Sequence, residues 1–215
     1  MTGTASSGSV PPRLRRRKNR RGEGARLRAE LVEAAARLLE SSGDAHVLTL
    51  TAIAREAGIA APSVYRHFSG LSPLIEAVVA DRFQRLDEAL VEAMTAAPHP
   101  AKALRACCAA YCRFGLEHPG HYQVLFSADL ALSPDRPGDR PGERVFGRLV
   151  SVIQACVDAG YARHEDPSMM AVNVWVALHG IVSLRTSRPH HPWPPVDTLV
   201  NAALAGQVGL APAPG

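Results

Sequence analysis

The segment Leu48-Thr-Leu-Thr-Ala-Ile-Ala-Arg-Glu-Ala-Gly-Ile-Ala-Ala-Pro-Ser-Val-Tyr-Arg-His-Phe68 constrains the fold more than any other. Thr49 is a candidate cap for a short helix running to about Ala57. Ile53, Ala54 and Ala57 then form a narrow inner face, small enough for a second helix to approach closely. Gly58 can adopt a positive φ without a Cβ penalty, so the chain can reverse within a few residues. The spacing predicts a second short helix over 61–68, anchored from inside by Ile59, Val64 and Phe68. Ala61, Pro62, Ser63, Arg66 and His67 are left to face outward. Short or polar groups at a helix N-terminus, followed by a cation, suit entry into a DNA major groove. Tyr65 and Thr49 are placed to contact phosphates, and Thr51 is a further candidate DNA contact.

The flanks carry helical periodicity. Leu27, Leu31, Ala34, Ala35, Leu38 and Leu39 make one apolar stripe over residues 25–41, with Gly43 as a stop. A long helix is expected from Pro73 to about Thr95, with Ser72 as its cap. Further helices are expected over about 101–117, a shorter stretch to Phe126, 143–160, 167–186 and 195–209. Residues 128–142 combine three prolines and two glycines with charge and read as a loop, as does the proline-rich Arg188–Pro195. Aromatic residues make up only 5% of the chain, which favours helix-on-helix packing by Ala and Leu. The expected fold is all-α.

The stretch 48–68, with its Thr, Ile-Ala, Ala-Gly and Tyr-Arg-His-Phe order and the long helix after it, resembles the helix-turn-helix of the TetR family over about residues 27–80. His118-Pro119-Gly120-x-Tyr122 and Trp175-x-x-x-His179-Gly180 are similar to the effector-domain pattern of one subgroup. The resemblance implies a ligand-responsive repressor: a homodimer that binds a palindromic double-stranded DNA operator and releases it to a small-molecule effector. It also implies a helix-turn-helix domain over 25–72 and a helical effector-binding and dimerisation domain over 73–215. The last two helices, rich in Ala, Val and Leu, are the expected dimer surface. Two positions depart from the family pattern. Ala60 stands where Ser or Thr usually caps the recognition helix, a change that costs about 1 kcal/mol. Leu71 stands where the family often has Lys.

Net charge is +4 but uneven: residues 1–70 carry 12 Lys+Arg against 6 Asp+Glu, and the remainder 12 against 14. Residues 1–24 are expected to be a disordered basic arm. Arg13, Arg15, Arg16, Arg17, Lys18, Arg20 and Arg21 are its candidate DNA contacts. A basic head on a slightly acidic body points to a polyanionic partner. A merely DNA-compacting protein would share the arm but not need the body.

Candidate effector contacts are Cys108, Tyr111, Cys112, Tyr122, Phe126, Phe146, Met170, Trp175 and His179. Trp175, His179 and Ser183 recur at four-residue spacing, as a pocket wall requires, although a packed helix has the same pattern. Cys108 and Cys112 lie four apart and read better as buried small hydrophobes than as a metal or redox pair. His190-His191 reads as a solvated loop. No Ser-His-Asp set, phosphate loop or paired carboxylates argue for an enzyme, and no cofactor or metal is expected. The basic N-terminal stretch leads into no apolar run, so no signal peptide is expected. Met169–Leu184 looks too short and too polar to span a membrane, and a cytoplasmic protein with reduced cysteines is expected.

Overall fold

The computed structural model describes residues 23–42, 47–126 and 141–211. Residues 1–22 of the expected arm, Gly43 and most of the 128–142 loop lie outside the described residues, whereas Glu23 and Gly24, expected to belong to the disordered arm, are the first residues of a helix. Among those described, every regular element is a helix: α1 (Glu23–Ser42), α2 (Leu50–Glu56), α3 (Ala61–Val64), α4 (Leu71–Thr95), α5 (Pro100–Glu117), α6 (Pro119–Phe126), α7 (Pro141–Asp158), α8 (Pro167–Ser187) and α9 (Val196–Val208).

The head is built on the apolar stripe of α1. Leu31, Ala34, Ala35 and Leu39 are buried in one core with Leu48, Ile53, Ala54, Val64 and Phe68, and Leu27 is buried as well. Thr49 caps α2, its Oγ1 accepting from the Ala52 amide at 3.0 Å. Gly58 sits at φ 68° and makes the reversal. The helical part of α3 is a single turn, shorter than expected; its N-cap, Ala60, makes no side-chain bond, and Pro62 occupies its first turn. Tertiary anchoring by buried Val64 and Phe68 takes the place of a cap, and the Arg28 guanidinium lies 4.6 Å from the Phe68 ring centroid.

Helix α4 starts at Leu71 rather than Pro73. Its N-cap is Gly70, without a side-chain bond, so Ser72 lies inside the first turn and is not the cap. The helix runs from the recognition turn into the body, packing on α1, α5 and α7. It buries Leu74, Val78, Val79, Phe83, Leu86 and Leu90, together with Arg82 and Asp87. Arg82, 2% exposed, donates to Glu33 Oε1 of α1 at 2.7 Å and also pairs with Asp81. Asp87 takes both Arg148 nitrogens of α7, with Arg144 at 3.2 Å. The paired guanidinium holds the Asp87 carboxyl below its usual range despite desolvation. These ion pairs tie α4 to the head on one side and to α7 on the other.

Helix α6 lies across the C-terminal half of α1. Helices α8 and α9 pack on α5 and on each other, yet one side of α8 is bare: Met169, Val172, Val176 and Leu184 are exposed. The helix extends beyond Met169–Leu184 to 21 residues, and by length and composition alone it could cross a membrane. That corrects the expectation from the shorter apolar stretch. Only a third of its apolar window is buried within the chain.

Candidate functional site

Two regions gather the candidate residues. The first is the outer surface of the head. Tyr65 is 61% exposed, and Thr49, Thr51, Pro62 and Arg66 are also exposed. Ala61, Ser63 and His67 are half-buried. The Arg66 guanidinium donates to Ser63 Oγ at 3.2 Å, which orders the longest cation of the α3 region over its N-terminal turn. Thr49 uses its side-chain oxygen as an acceptor for the cap, so its O–H remains able to donate outward. His67 lies beside the first turn of α1, its ring edge 4.0 Å from where a Cβ on Gly24 would stand.

The second region is a cavity of about 450 Å³ between α4, α5, α7 and α8, within the usual range for small-molecule sites. Of the proposed contacts, Cys108, Tyr111, Phe126, Phe146 and Trp175 line it. Phe83 and Leu90 of α4, Val145 and Leu149 of α7, and Leu178 of α8 complete much of its apolar wall. Nothing in the sequence singled out those aliphatic residues, because a pocket-lining Leu and a core Leu have the same periodicity. Tyr122 and His179 do not line this cavity. They face a neighbouring groove of similar size, shared with Gln123, Phe126, Ser183 and Thr186. Cys112 and Met170 line neither space and are packed in the core.

A chain of side-chain hydrogen bonds joins the two spaces. Trp175 Nε1–H donates to Tyr111 Oη at 3.2 Å. Tyr111 and Tyr122 share a bond at 2.9 Å, and Tyr122 Oη lies 2.7 Å from His179 Nδ1. The rings pack with the hydroxyls: Tyr122 is 4.7 Å from Phe126, and Phe126 is 5.0 Å from His179, centroid to centroid. Burial pushes the Tyr111 phenol up to about 12 and Tyr122 further in the same direction, so both are neutral donors. Burial also lowers the His179 pKa, favouring neutral imidazole. Desolvation pushes the Cys107 and Cys112 thiols up to about 12 and Cys108 in the same direction. A thiol held protonated is a poor nucleophile and a poor oxidant sensor.

The head and body meet where α6 crosses α1. His121 Nε2 lies 3.2 Å from the Ala36 carbonyl oxygen and 3.5 Å from Glu40 Oε2, and His118 Nδ1 lies 3.8 Å from Glu40 Oε1. These three side chains have metal-ligand chemistry, with ligand atoms within 4.8 Å of one another. The helix carbonyl already engages the His121 nitrogen, so they act in this structure as a polar bridge between α1 and α6. The sequence reading did not single them out together, since Glu40 and His121 are far apart along the chain.

Comparison with known proteins agrees with this architecture. The chain matches the family model of bacterial regulatory proteins of the tetR family over residues 31–78. It matches that of the tetracyclin repressor-like C-terminal domain over residues 104–206. An uncharacterised HTH-type transcriptional regulator of Mycobacterium tuberculosis, Rv0681, is 29% identical over 161 residues, covering 73% of this chain and 69% of that protein. A solved protein of unknown function from Rhodococcus sp. RHA1 is 27% identical, with a TM-score of 0.71 over 84% of this chain and 93% of its own. RolR, solved in complex with resorcinol, shares the fold at 19% identity, with a TM-score of 0.61 over 89% and 91% of the two chains. The head, the body and their junction thus belong to one known architecture, and the chain is a member of the TetR family of DNA-binding transcriptional regulators.

Proposed function

We propose that the chain is a homodimeric repressor that binds a palindromic operator and leaves it when a small apolar molecule fills the α4–α5–α7–α8 cavity. One observation carries the reading. Helix α4 begins just after Phe68 of the recognition turn and brings Phe83 and Leu90 to the cavity wall. A ligand that displaces those side chains acts on the same rigid helix that follows the DNA-contacting turn. The release mechanism is then a difference in cavity shape between DNA-bound and free states, and the ligand favours the free one.

In this reading Ser63 and Arg66 contact bases, and Thr49, Thr51 and Tyr65 contact phosphates. The basic residues 13–21 add sequence-independent affinity. The bare side of α8 meets its copy in a partner subunit, and half-site centres lie about 34–36 Å apart or a multiple of that. A repressor of this kind acts on chromosomal DNA and so works in the cytoplasm. The cavity binds without turnover: its tyrosine and cysteines are held protonated, which suits recognition better than nucleophilic chemistry. RolR's resorcinol is a small aromatic diol, and a cavity of this size has room for such a ring.

The test is selection of binding sites from random DNA, followed by a compound screen for release of the selected duplex. A palindromic consensus with a releasing compound supports the proposal. Binding without sequence preference, or release by no compound that occupies the cavity, refutes it.

A further inference from the structure

The polarity of the Trp175–Tyr111–Tyr122–His179 chain specifies what the cavity accepts, given the effector role proposed above. We infer that the ligand is an uncharged apolar ring compound that presents a hydrogen-bond donor, a hydroxyl or N–H, to Tyr111, and that carboxylates are selected against.

The direction of the chain follows from its members. An indole nitrogen only donates, so Tyr111 Oη accepts from Trp175. Three arrangements of the remaining protons are then possible. In the first, Tyr111 donates to Tyr122, and Tyr122 donates to His179 Nδ1. The imidazole proton then sits on Nε2, on a half-exposed ring in a groove lined by Gln123, Ser183 and Thr186. In the second, His179 donates to Tyr122 and Tyr122 to Tyr111. Tyr111 Oη then accepts twice, and its own proton is left over at a cavity wall that is almost wholly apolar. In the third, Tyr111 and His179 both donate to Tyr122, whose own proton turns to the groove, and Tyr111 is left as in the first. A buried donor without an acceptor is costly, whereas an imidazole N–H in a polar groove is not. The second arrangement is therefore disfavoured in the empty cavity. The other two leave Tyr111 Oη with its donor used, one lone pair used, and one lone pair free. A donor ligand takes that lone pair with no rearrangement. An acceptor must reverse two hydroxyls together and, from the first arrangement, the imidazole tautomer as well.

Charge acts in the same sense. Among the described lining residues, Glu143 is the one charged side chain, and no Lys or Arg faces it there. Of the described arginines on α7, Arg144 and Arg148 are turned to Asp87. An anionic ligand would enter an apolar space past a carboxylate, with no cation among the described lining residues to receive it. The neighbouring thiols, Cys107 and Cys108, are protonated and add neither charge nor a strong acceptor.

The experiment is calorimetric titration of the full-length dimer-competent chain with three probes of matched ring size: 2-naphthol, 2-methoxynaphthalene and 2-naphthoate. The expected order is naphthol first, by about tenfold or more over the ether, from one satisfied hydrogen bond. In Tyr111→Phe the gap between naphthol and ether should close while ring binding persists. In Glu143→Gln, a change at an exposed position, naphthoate binding should strengthen relative to wild type. Equal or better binding of the ether or the naphthoate to wild type overturns the donor assignment alone. Persistence of the naphthol preference in Tyr111→Phe does the same. Failure of all three probes to bind overturns the cavity's ligand role and this inference with it.

Discussion

A Cβ built on Gly120 would stand 2.3 Å from the carbonyl oxygen of Leu39. The first turn of α6 therefore rests directly on the backbone of α1, and this contact sets how the body meets the DNA-contacting head. Backbone cannot swing aside as a flexible side chain does, so only glycine fits. The approach also brings His121 to the Ala36 carbonyl and, with His118, to Glu40.

Gly120→Ala should accordingly destabilise the chain by about 1–3 kcal/mol, the usual cost of overpacking. Gly147→Ala on α7 is the control, because a Cβ there meets nothing within 4 Å. It should be neutral or stabilise by about 0.5–1 kcal/mol through helix propensity. Denaturant midpoints of the two variants against wild type check the pair. Equal midpoints for Gly120→Ala and wild type would show that α6 can lift from α1 at no cost.

Much of this architecture was legible in the sequence, for identifiable reasons. The head was readable because its reversal needs a glycine at one place and small inner residues at two others, and Gly58, Ala54 and Ala57 meet both needs. The cavity's aromatic side was readable because large rings are rare in this chain, so Tyr111, Phe146 and Trp175 stood out. Its aliphatic side was not, since Leu90 and Leu149 differ from core leucines only in what they face. The seam was hidden for another reason. Arg82 reads as a solvated cation on α4, yet it is buried against Glu33 of another helix. Local pattern carries no information on such a pairing. Ser72 misled because serine is a good cap wherever a helix happens to start, and here the helix starts at Leu71, before it.

The two perturbed histidines predict a pH dependence of stability. Burial, with Arg82 nearby, lowers the pKa of His121 below the ordinary 6.5, and burial lowers that of His179. A depressed histidine stays neutral in the fold while the unfolded chain already takes up a proton. Stability is therefore complete above about pH 6.5 and is lost as pH falls through that value towards the folded pKa values. Thermal midpoints should be level from pH 8 to 7 and decline from 6.5 to 5.5. His179→Gln should flatten the decline in part. A midpoint that rises on acidification over that range would contradict the assignment of both groups as neutral.

In the head, three substitutions should separate folding, affinity and specificity. Thr49→Ala removes the α2 cap and should cost about 1 kcal/mol of stability. Tyr65→Phe removes an exposed hydroxyl and should leave stability alone, yet weaken binding to every duplex by a similar factor. Arg66→Ala should relax base preference at one position of each half-site, at about 1–3 kcal/mol for the preferred base. Denaturation and binding-site selection read these effects separately. An unchanged consensus with Arg66→Ala removes that residue from base reading.

The last prediction concerns the bare side of α8. Val176 is 63% exposed and Met169 57%, and a Cβ on Gly180 would meet nothing within 4 Å. Exposed apolar residues interleaved with a glycine leave room for a second helix to approach closely, as a two-fold contact between copies of α8 requires. Within the isolated chain Val176 supports little, so Val176→Glu should not disturb the subunit's own core. Across the proposed interface it would place two carboxylates together on the symmetry axis side of α8, where like charges and desolvation both oppose association. Light scattering at micromolar concentration should find wild type dimeric and Val176→Glu monomeric, with helical content retained by circular dichroism. Operator affinity should fall well beyond twofold, because two heads held on one body bind the second half-site at high effective concentration and two separate heads do not. Binding to a single half-site should change little. A Val176→Glu protein that remains dimeric and keeps full operator affinity would move the interface off this side of α8.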